Sequence, residues 1–294
     1  MMPNEIQTIA LCATARWVDV ELIQNTELWL QKLGYKTKRA ENLSVKHHQF
    51  SGTDDERSVA FQALLDDKTI DAIWCLRGGY GTVRIVDSID WASFKKHPKY
   101  IIGFSDFTVL LNHVLQFNIP SIHAPMPIQH IDLDDDSKLR LEQSFSLICP
   151  EMVWKSNQIQ QSKSIKGKLA GGNLSVLFSM LGSDSFPKLQ DSILFLEDLD
   201  EYVYHIDRMM FALWRAGALG GIKGFLIGGF TSIHDHKLPF GQSVEGIFSF
   251  FAEKLDVPIF FDAPVGHQKQ HFPLVFGRET LIKQHKDHIS LLHL

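Results

Sequence analysis

The stretch Lys99–Val114 reads KYIIGFSDFTVLLNHV, and it indicates how the chain folds around one serine. The apolar run YIIGF predicts a buried strand, and the residues after it predict a helix. Ser105 lies at the turn between them. A serine there is most often a helix N-cap, but on a sharp turn it can be an exposed nucleophile beside a helix N-terminus. Gly103 supplies the first glycine of a G-x-S-x-G elbow and Phe107 replaces the second, so both interpretations stay open.

The first half of the chain repeats this order of strand and helix. Thr53 and Glu56 form a capping-box pattern that predicts the start of one helix, and Gly34 ends an earlier one. Strands that alternate with helices indicate a mostly parallel sheet covered by helices. The predicted strands are TIALCA, YKTKRA, IDAIWCL, YIIGF and IPSIHAP.

The sequence changes in character after Pro150. The segment KSNQIQQSKS is polar and has no apolar periodicity, which is typical of a linker. We therefore predict an α/β protein with an N-terminal parallel-sheet domain at 1–150, a linker at 151–165, and a smaller mixed α/β domain at 166–294.

Composition excludes several classes of function. The net charge of −5 over 294 residues gives no support for nucleic-acid binding. Cys12, Cys75 and Cys149 are too few and too widely spaced for a disulfide framework or a zinc knuckle, so we interpret them as reduced core thiols. No apolar run approaches a membrane span, and the first residues lack a secretory signal. We expect a cytoplasmic protein with no membrane partner.

Distinctive residues follow the predicted strands of the first half. Because ligands bind beyond the carboxyl ends of parallel strands, we expect these residues to converge on one site. The segment Arg77–Gly81, RGGYG, allows a tight turn, a phosphate cradle, or an amide that receives an oxyanion. The other strand-end residues are Thr14, Ala15, Arg16, Ser105, Asp106 and His123.

The second half contributes an acidic group and two histidines. Glu197 ends an apolar strand and precedes Asp198, Asp200 and Glu201. Such carboxylates can be solvated turn residues, ligands of a hard cation, or the acid of a catalytic triad. His267 and His271 lie in VGHQKQHFPLVFG, and the residues alone do not select between them.

Taken in order, six motifs resemble the LD-carboxypeptidases, serine peptidases that act on murein tetrapeptide, and the related microcin C immunity proteins. The resemblance covers nearly the whole chain and implies a Ser-Glu-His triad of Ser105, Glu197 and His267. It also implies the two-domain architecture with the site at the domain interface. The motifs are LRGGYGTVRIVDSIDW, KYIIGFSDFTVLLNHV, SIHAPM, LAGGNLSVLFSMLG, SILFLEDLDEYVYHIDRMMFALWRAGAL and VGHQKQHFPLVFG.

The resemblance further implies a serine carboxypeptidase that releases the terminal D-Ala of murein tetrapeptides in cell-wall recycling, as a homodimer and without metal or cofactor. The backbone amides of Asp106 and Gly79 would receive the oxyanion. Arg77 and Arg16 would hold the terminal carboxylate, and His123 would contact substrate.

Two segments depart from the family pattern. Thr14–Arg16 replaces a Pro-Ser-Gly-like turn, and His123-Ala124-Pro125 replaces His-Gly-Pro. Both leave the triad intact and keep two other functions open. One is an immunity-type hydrolase of peptidyl or acyl-sulfamoyl adenylates, and the other is a non-catalytic small-molecule binding protein.

Overall fold

The computed structural model describes residues 1–156 and 163–294, so part of the predicted linker, 157–162, lies outside the described residues. Two sheets organise the rest of the chain. The strands are β1 (Thr8–Cys12), β2 (Lys36–Arg39), β3 (Ala72–Cys75), β4 (Tyr100–Gly103), β5 (Ser121–His123), β6 (Met152–Trp154), β7 (Ser164–Asn173), β8 (Ser192–Leu199), β9 (Gly224–Thr231), β10 (Ile259–Phe260), β11 (Leu274–Phe276), β12 (Glu279–Gln284) and β13 (Ile289–His293).

The helices fill the connections between these strands. Short 3-10 turns add to them, among them the one at Ser105–Phe107. The α-helices are α1 (Val20–Lys32), α2 (Asp54–Asp66), α3 (Ala92–Lys96), α4 (Thr108–His113), α5 (Asp135–Phe145), α6 (Leu174–Ser179), α7 (Val203–Arg215) and α8 (Val244–Leu255). None of the helices described is long and apolar enough to cross a membrane.

The first sheet has six strands in the order β11-β5-β4-β3-β1-β2. The five strands from the first half pair in parallel, as predicted. The edge strand β11 comes from the far end of the chain and pairs antiparallel with β5, Leu274 opposite His123. The parallel sheet predicted from the first half is therefore confirmed, with one strand added from the second half.

The second sheet has seven strands in the order β10-β9-β8-β7-β12-β13-β6. Strands β7 to β10 pair in parallel, and β12, β13 and β6 pair antiparallel. Strand β6 lies inside the segment predicted as linker. The mixed α/β class is confirmed, while the boundaries at 150 and 166 stay a prediction.

Two local predictions are confirmed in the first domain. Thr53 caps α2, and the Thr53 and Glu56 side chains bond each other's backbone N–H in a capping box. Cys12 and Cys75 lie opposite each other on β1 and β3 and are buried. Burial, and then the neighbouring Cys75, raises the pKa of the Cys12 thiol well above its usual value. Both cysteines therefore belong to the apolar core, as predicted, whereas Cys149 is only partly buried.

Candidate active site

Ser105 stands on a strained turn between β4 and α4. Its φ of 59° is in the left-handed region, which is uncommon for a residue other than glycine. The residue at the N-cap position is Phe104, so Ser105 is not the helix cap. Gly103 has a φ of 157°, and a Cβ there would lie 2.7 Å from the Phe107 ring. The turn thus has the geometry of a variant nucleophile elbow and leaves Ser105 half-buried at the end of β4.

The glycine-rich segment after β3 lies directly against this elbow. A Cβ built on Gly78 would lie 3.3 Å from Ser105 Oγ and 3.2 Å from Met126 Cε. Gly79 and Gly81 have φ values of 116° and 148°, which only glycine adopts readily. The ends of β3 and β4 thus come together, and the backbone at Gly78 lies beside the serine.

A buried carboxylate ties the glycine-rich segment to the elbow. Asp106 Oδ2 accepts a hydrogen bond of 2.9 Å from the Thr82 amide, and the Thr82 hydroxyl lies 2.7 Å from the Thr14 hydroxyl. Burial raises the pKa of Asp106 above its ordinary value, while the hydrogen bonds from Thr82 oppose that rise. The ends of β1, β3 and β4 are thus connected by polar contacts.

Arg57 is a buried part of this arrangement that the sequence did not reveal. Its guanidinium, on α2, donates to the Gly81 carbonyl over 2.9 Å, to the Thr14 carbonyl and to the Gly52 carbonyl over 3.3 Å. Burial lowers the pKa of Arg57, opposed by the charge of Asp54. From the sequence alone, Arg57 would be taken for an exposed charge on a helix. One signal of its burial is that glycine-rich turns leave backbone carbonyls without partners, and these carbonyls need a donor when they are buried.

Glu197 and His267 form an ion pair from the second domain. His267 Nδ1 lies 2.6 Å from Glu197 Oε2, and the His267 amide donates to the same oxygen over 3.2 Å. Glu197 is fully buried on β8. Burial alone would raise the pKa of Glu197, but the charge and hydrogen bonds of His267 hold it below its ordinary value. Burial likewise favours neutral His267, but the Glu197 charge and hydrogen bond outweigh it and raise the pKa of His267.

His267 contacts the Ser105 turn through Phe104, the residue before the serine. The rings of Phe104 and His267 lie 4.6 Å apart, centroid to centroid. The Thr231 hydroxyl fixes the His267 loop by donating to the His267 carbonyl over 2.9 Å. A Cβ on Gly266 would lie 2.8 Å from the Glu197 side chain, so glycine permits this close approach. Ser105, His267 and Glu197 therefore lie in one region between the two sheets.

His271 and His123 lie beside the same Phe104 ring as His267, with ring centroids 4.5 Å and 5.6 Å from that of Phe104. Both are fully buried, and His271 Nε2 lies 3.3 Å from His123 Nδ1. Burial lowers the pKa of His123 to about 4 and that of His271 well below 6.5. His123 also stacks on Phe276, and its contact with substrate stays a prediction. The hydrogen bond of the Glu197 carboxylate to His267 is what distinguishes His267 from His271.

The two candidate arginines lie near the glycine-rich segment. Arg16 is exposed and passes so close to Gly79 that a Cβ there would lie 2.6 Å from Arg16 Cδ. Arg77 is half-buried, and its Nη1 donates to the Trp17 carbonyl over 3.3 Å. Arg16 therefore contacts the glycine-rich segment that lies against Ser105, and Arg77 begins that segment and bonds to the loop after β1.

The other acids after β8 point to separate partners. Asp198 accepts a hydrogen bond of 2.8 Å from Asn173, Asp200 pairs with His234, and Glu201 pairs with His205. Within residues 1–156 and 163–294, no group of three or more His, Cys, Asp or Glu side chains is placed to hold a metal ion. The acidic sequence cluster is thus divided among different contacts.

Comparison with known proteins supplies the family. Residues 7–124 match the LD-carboxypeptidase N-terminal domain, and residues 166–282 match the LD-carboxypeptidase C-terminal domain. The chain belongs to the LD-carboxypeptidase family. Membership makes it a carboxypeptidase-type hydrolase, and the resemblance seen in the six sequence motifs is confirmed.

Relatives of the family cover almost the whole chain. A probable murein peptide carboxypeptidase of Bacillus subtilis is 31% identical, over 94% of this chain and 89% of that protein. The murein tetrapeptide carboxypeptidase of Pseudomonas aeruginosa is 25% identical, over 94% and 92%.

Solved structures show the same architecture. A muramoyltetrapeptide carboxypeptidase from Oxalobacter formigenes is 27% identical and superposes with a TM-score of 0.86, covering 97% of this chain and 98% of that one. The microcin C7 self immunity protein MccF, in complex with aspartyl sulfamoyl adenosine, reaches a TM-score of 0.84 at 18% identity, over 99% and 97%. At that identity, the second likeness shows the fold alone.

Proposed function

We propose that this protein is an LD-carboxypeptidase that releases the terminal D-Ala of murein tetrapeptides through a triad of Ser105, His267 and Glu197. The observation that carries the proposal is the Glu197–His267 pair packed on Phe104, beside a serine held on a strained elbow. The murein relatives in Bacillus subtilis and Pseudomonas aeruginosa support the substrate class.

Each member of the triad has a distinct task. His267 removes the proton of Ser105 as its oxygen attacks the scissile carbonyl, and later returns that proton to the leaving amine of D-Ala. Glu197 accepts a hydrogen bond from Nδ1, which leaves Nε2 free to act as the base and stabilises the imidazolium. Water then hydrolyses the acyl-enzyme by the same route.

The oxyanion is received by backbone amides. We assign this role to Asp106, at the first turn after Ser105, and to Gly79 in the neighbouring segment. The closeness of Gly78 to Ser105 Oγ supports the second donor. A single donor of this kind contributes about 10²–10³ in rate.

The preference for a terminal residue requires a cation near the serine. We assign the terminal carboxylate to Arg77 and Arg16, since guanidinium pairs with carboxylate in a two-point geometry. A clamp at fixed distance directs Ser105 to the last peptide bond. In a pentapeptide that bond joins two D-residues, so the acyl-side substituent is misdirected and cleavage is slow.

The cellular setting follows from the same assignment. We propose that the enzyme acts in the cytoplasm on peptides recovered from the cell wall, as a homodimer. Cell fractionation and sedimentation of the purified protein test these two statements. A monomer, or a protein found outside the cytoplasm, would contradict them.

The deciding experiment is a mass-spectrometric assay of purified protein on defined peptides. We expect D-Ala release from the tetrapeptide, little from a pentapeptide ending in D-Ala-D-Ala, and none from Ser105→Ala protein. Turnover of a peptidyl adenylate with none of the tetrapeptide would move the chain to immunity-type chemistry. Binding without turnover of either would support a non-catalytic binding protein.

A further inference from the structure

The two sheets meet at a row of buried polar side chains behind the active site. Helix α4, which follows the Ser105 turn, presents Asn112 to β7 of the second sheet. Asn112 Nδ2 donates to the Gly171 carbonyl over 2.7 Å, and the Gly171 amide donates to Asn112 Oδ1 over 3.0 Å. The Asn112 carboxamide therefore bonds to both the N–H and the C=O of Gly171, as a residue of a neighbouring strand would.

A second contact lies one turn earlier on the same helix. The Asn173 amide, at the end of β7, donates to Thr108 Oγ1 over 3.2 Å. Between the two contacts, a Cβ on Gly172 would lie 2.7 Å from Thr108 Oγ1, and one on Gly171 would lie 2.1 Å from the Phe195 carbonyl. Gly172 therefore lets α4 approach β7 this closely, and Gly171 lets β7 lie close to Phe195 of β8.

The row continues to the strand that bears the catalytic acid. Asn173 Nδ2 donates to Asp198 Oδ1 over 2.8 Å, and the Ser175 amide donates to Asp198 Oδ2 over 2.9 Å. Asp198 directly follows Glu197. Thr108, Asn112, Asn173 and Asp198 are each at most 3% exposed, so these bonds form where water does not compete.

We propose that Thr108 and Asn112 are positioning residues that set the separation of the nucleophile from the acid–base pair. The inference rests on the proposed function and adds residues that touch neither substrate nor triad. Thr108 is three residues after Ser105, and its contact Asn173 is bonded to the residue next to Glu197. Two hydrogen bonds, Asn173 to Thr108 and Asn173 to Asp198, thus connect the helix that follows Ser105 with the strand that carries Glu197.

Directional contacts suit this task better than apolar packing. Apolar surfaces can slide on each other with small changes in contact area, whereas hydrogen bonds weaken when distance or angle departs from the optimum. A catalytic misplacement of about 1 Å can cost roughly 10²-fold in rate. The interface therefore uses polar side chains where small displacements would reach the reacting atoms.

The test compares Thr108→Val with Thr108→Ser. Valine keeps the shape and removes the acceptor for the Asn173 amide, whereas serine keeps the oxygen. We expect kcat on the tetrapeptide to fall by about 10- to 10²-fold in the valine variant, with KM changed by less than about 3-fold because no substrate contact is lost. The serine variant should recover kcat to within about 3-fold of the native rate.

Thr280→Val is the matched control. Thr280 is a fully buried threonine on β12 of the second sheet, and its hydroxyl bonds to the Arg278 carbonyl and His293. The same substitution there removes buried hydrogen bonds without touching the row. We expect native kcat. An equal loss of kcat in Thr280→Val, or a native kcat in Thr108→Val, would overturn the proposal.

A readout that does not need turnover separates this inference from the proposed function. Hydrogen exchange followed by mass spectrometry should show faster exchange at residues 171–173 in Thr108→Val but not in Thr108→Ser. If native protein cleaves no peptide, the proposed function fails whatever the exchange shows. If native protein cleaves the tetrapeptide and exchange at 171–173 is unchanged in Thr108→Val, the positioning role fails alone.

Discussion

The two halves of the active site are held in place by different forces. On the nucleophile side, Ser105 and Gly78 are fixed by backbone turns, and Asp106 accepts a hydrogen bond from a loop amide. On the acid–base side, His267 Nδ1 and the buried carboxylate of Glu197 are joined by a hydrogen bond of 2.6 Å. Under the proposed triad, reactivity thus depends on shape in one half and on the Glu197 charge in the other.

We therefore expect substitutions in the two halves to affect the rate and its pH dependence differently. Changes of volume near Ser105 should lower the rate at every pH, because they move atoms without changing charge. Changes at Glu197 should also alter how the rate depends on pH, because they change the proton affinity of His267. If a change of volume near Ser105 shifts the pH dependence of the rate, or a change at Glu197 leaves it unshifted, the two halves do not differ in this way.

The largest effect is expected for Ser105→Ala. Removing the nucleophile should lower kcat/KM for the tetrapeptide on the order of 10⁴-fold or more, leaving only catalysis by binding and the oxyanion donors. The thermal midpoint should hardly move, because the alanine keeps the same backbone turn. Ser179→Ala, which removes a hydroxyl bonded to its own helix α6, is the matched control. Activity within tenfold of native in Ser105→Ala would remove Ser105 from the triad.

Glu197→Gln tests the charged half. The amide keeps the size but removes the negative charge, and kcat should fall roughly 10⁴-fold because His267 loses its preferred tautomer. Glu201→Gln is the control, since Glu201 pairs with His205 instead. Comparable losses in the two variants, or rescue of either by a divalent cation, would favour a metal role for the acidic cluster.

We expect the Glu197–His267 pair to determine how the rate of the native enzyme depends on pH. Its rate should fall as pH drops through a pKa above 6.5, because His267 must be neutral to act as base and its pKa is raised by Glu197. In Glu197→Gln the residual rate should titrate at lower pH. A pH–rate profile of kcat/KM for both proteins makes the comparison, and an unshifted profile would contradict the electrostatic role.

The pair also affects stability, with a sign that can be worked out. The lowered pKa of Glu197 gives stability that is present above pH 4.5 and lost as pH falls through the folded value. The raised pKa of His267 gives stability that is present below pH 6.5 and lost as pH rises through the folded value. The contribution of the pair is therefore fullest between these two values.

A moderate effect is expected for Gly78→Ala in the shape-dependent half. The φ of Gly78 is not in the left-handed region, so alanine fits the backbone, but its Cβ would press on Ser105 at 3.2–3.3 Å. We expect kcat/KM to fall by about 10²-fold with an unchanged pH profile. Gly246→Ala on α8, where the added Cβ meets only Ser243 Oγ at 3.6 Å, should leave the rate unchanged. A shifted pH profile in Gly78→Ala would show that the Ser105 half also depends on charge.

The smallest effect is expected for Arg77→Gln. Losing a charged contact to the terminal carboxylate should raise KM by about 10-fold, with a smaller decrease in kcat. Arg140→Gln removes an arginine of α5 that pairs with Asp136 and is the control. Initial-rate kinetics on the tetrapeptide measure both. An unchanged KM in Arg77→Gln would transfer the carboxylate to another residue.

Much of the fold could be predicted because its signals are local. The apolar runs and the capping box at Thr53 and Glu56 specify strands and a helix start within a few residues. Strand β11 could not be predicted, because its three residues carry little pattern and pair with β5 about 150 positions earlier in the chain. Local pattern does not report such distant pairing.

For the site residues too, local sequence signals were informative and long-range contacts could not be predicted. Ser105, Glu197 and His267 were predicted as the triad from motifs that resemble the family, and the structure adds the Glu197–His267 hydrogen bond and the packing of His267 on Phe104. Arg57 was missed because a charged residue on a helix looks the same in sequence whether its donors reach water or buried carbonyls. The substrate contact of His123 stays a prediction, and its burial and stacking on Phe276 could not be inferred from its position at a strand end.

The antiparallel edge strand has a consequence for biosynthesis. Residues 1–150 contain five of the six strands of the first sheet, and the sixth, Leu274–Phe276, is translated near the end of the chain. Until then β5 has one unpaired edge, a surface that other chains can join. The sheet that carries the serine is therefore completed only after β7, β8 and β9 of the second sheet have been synthesised.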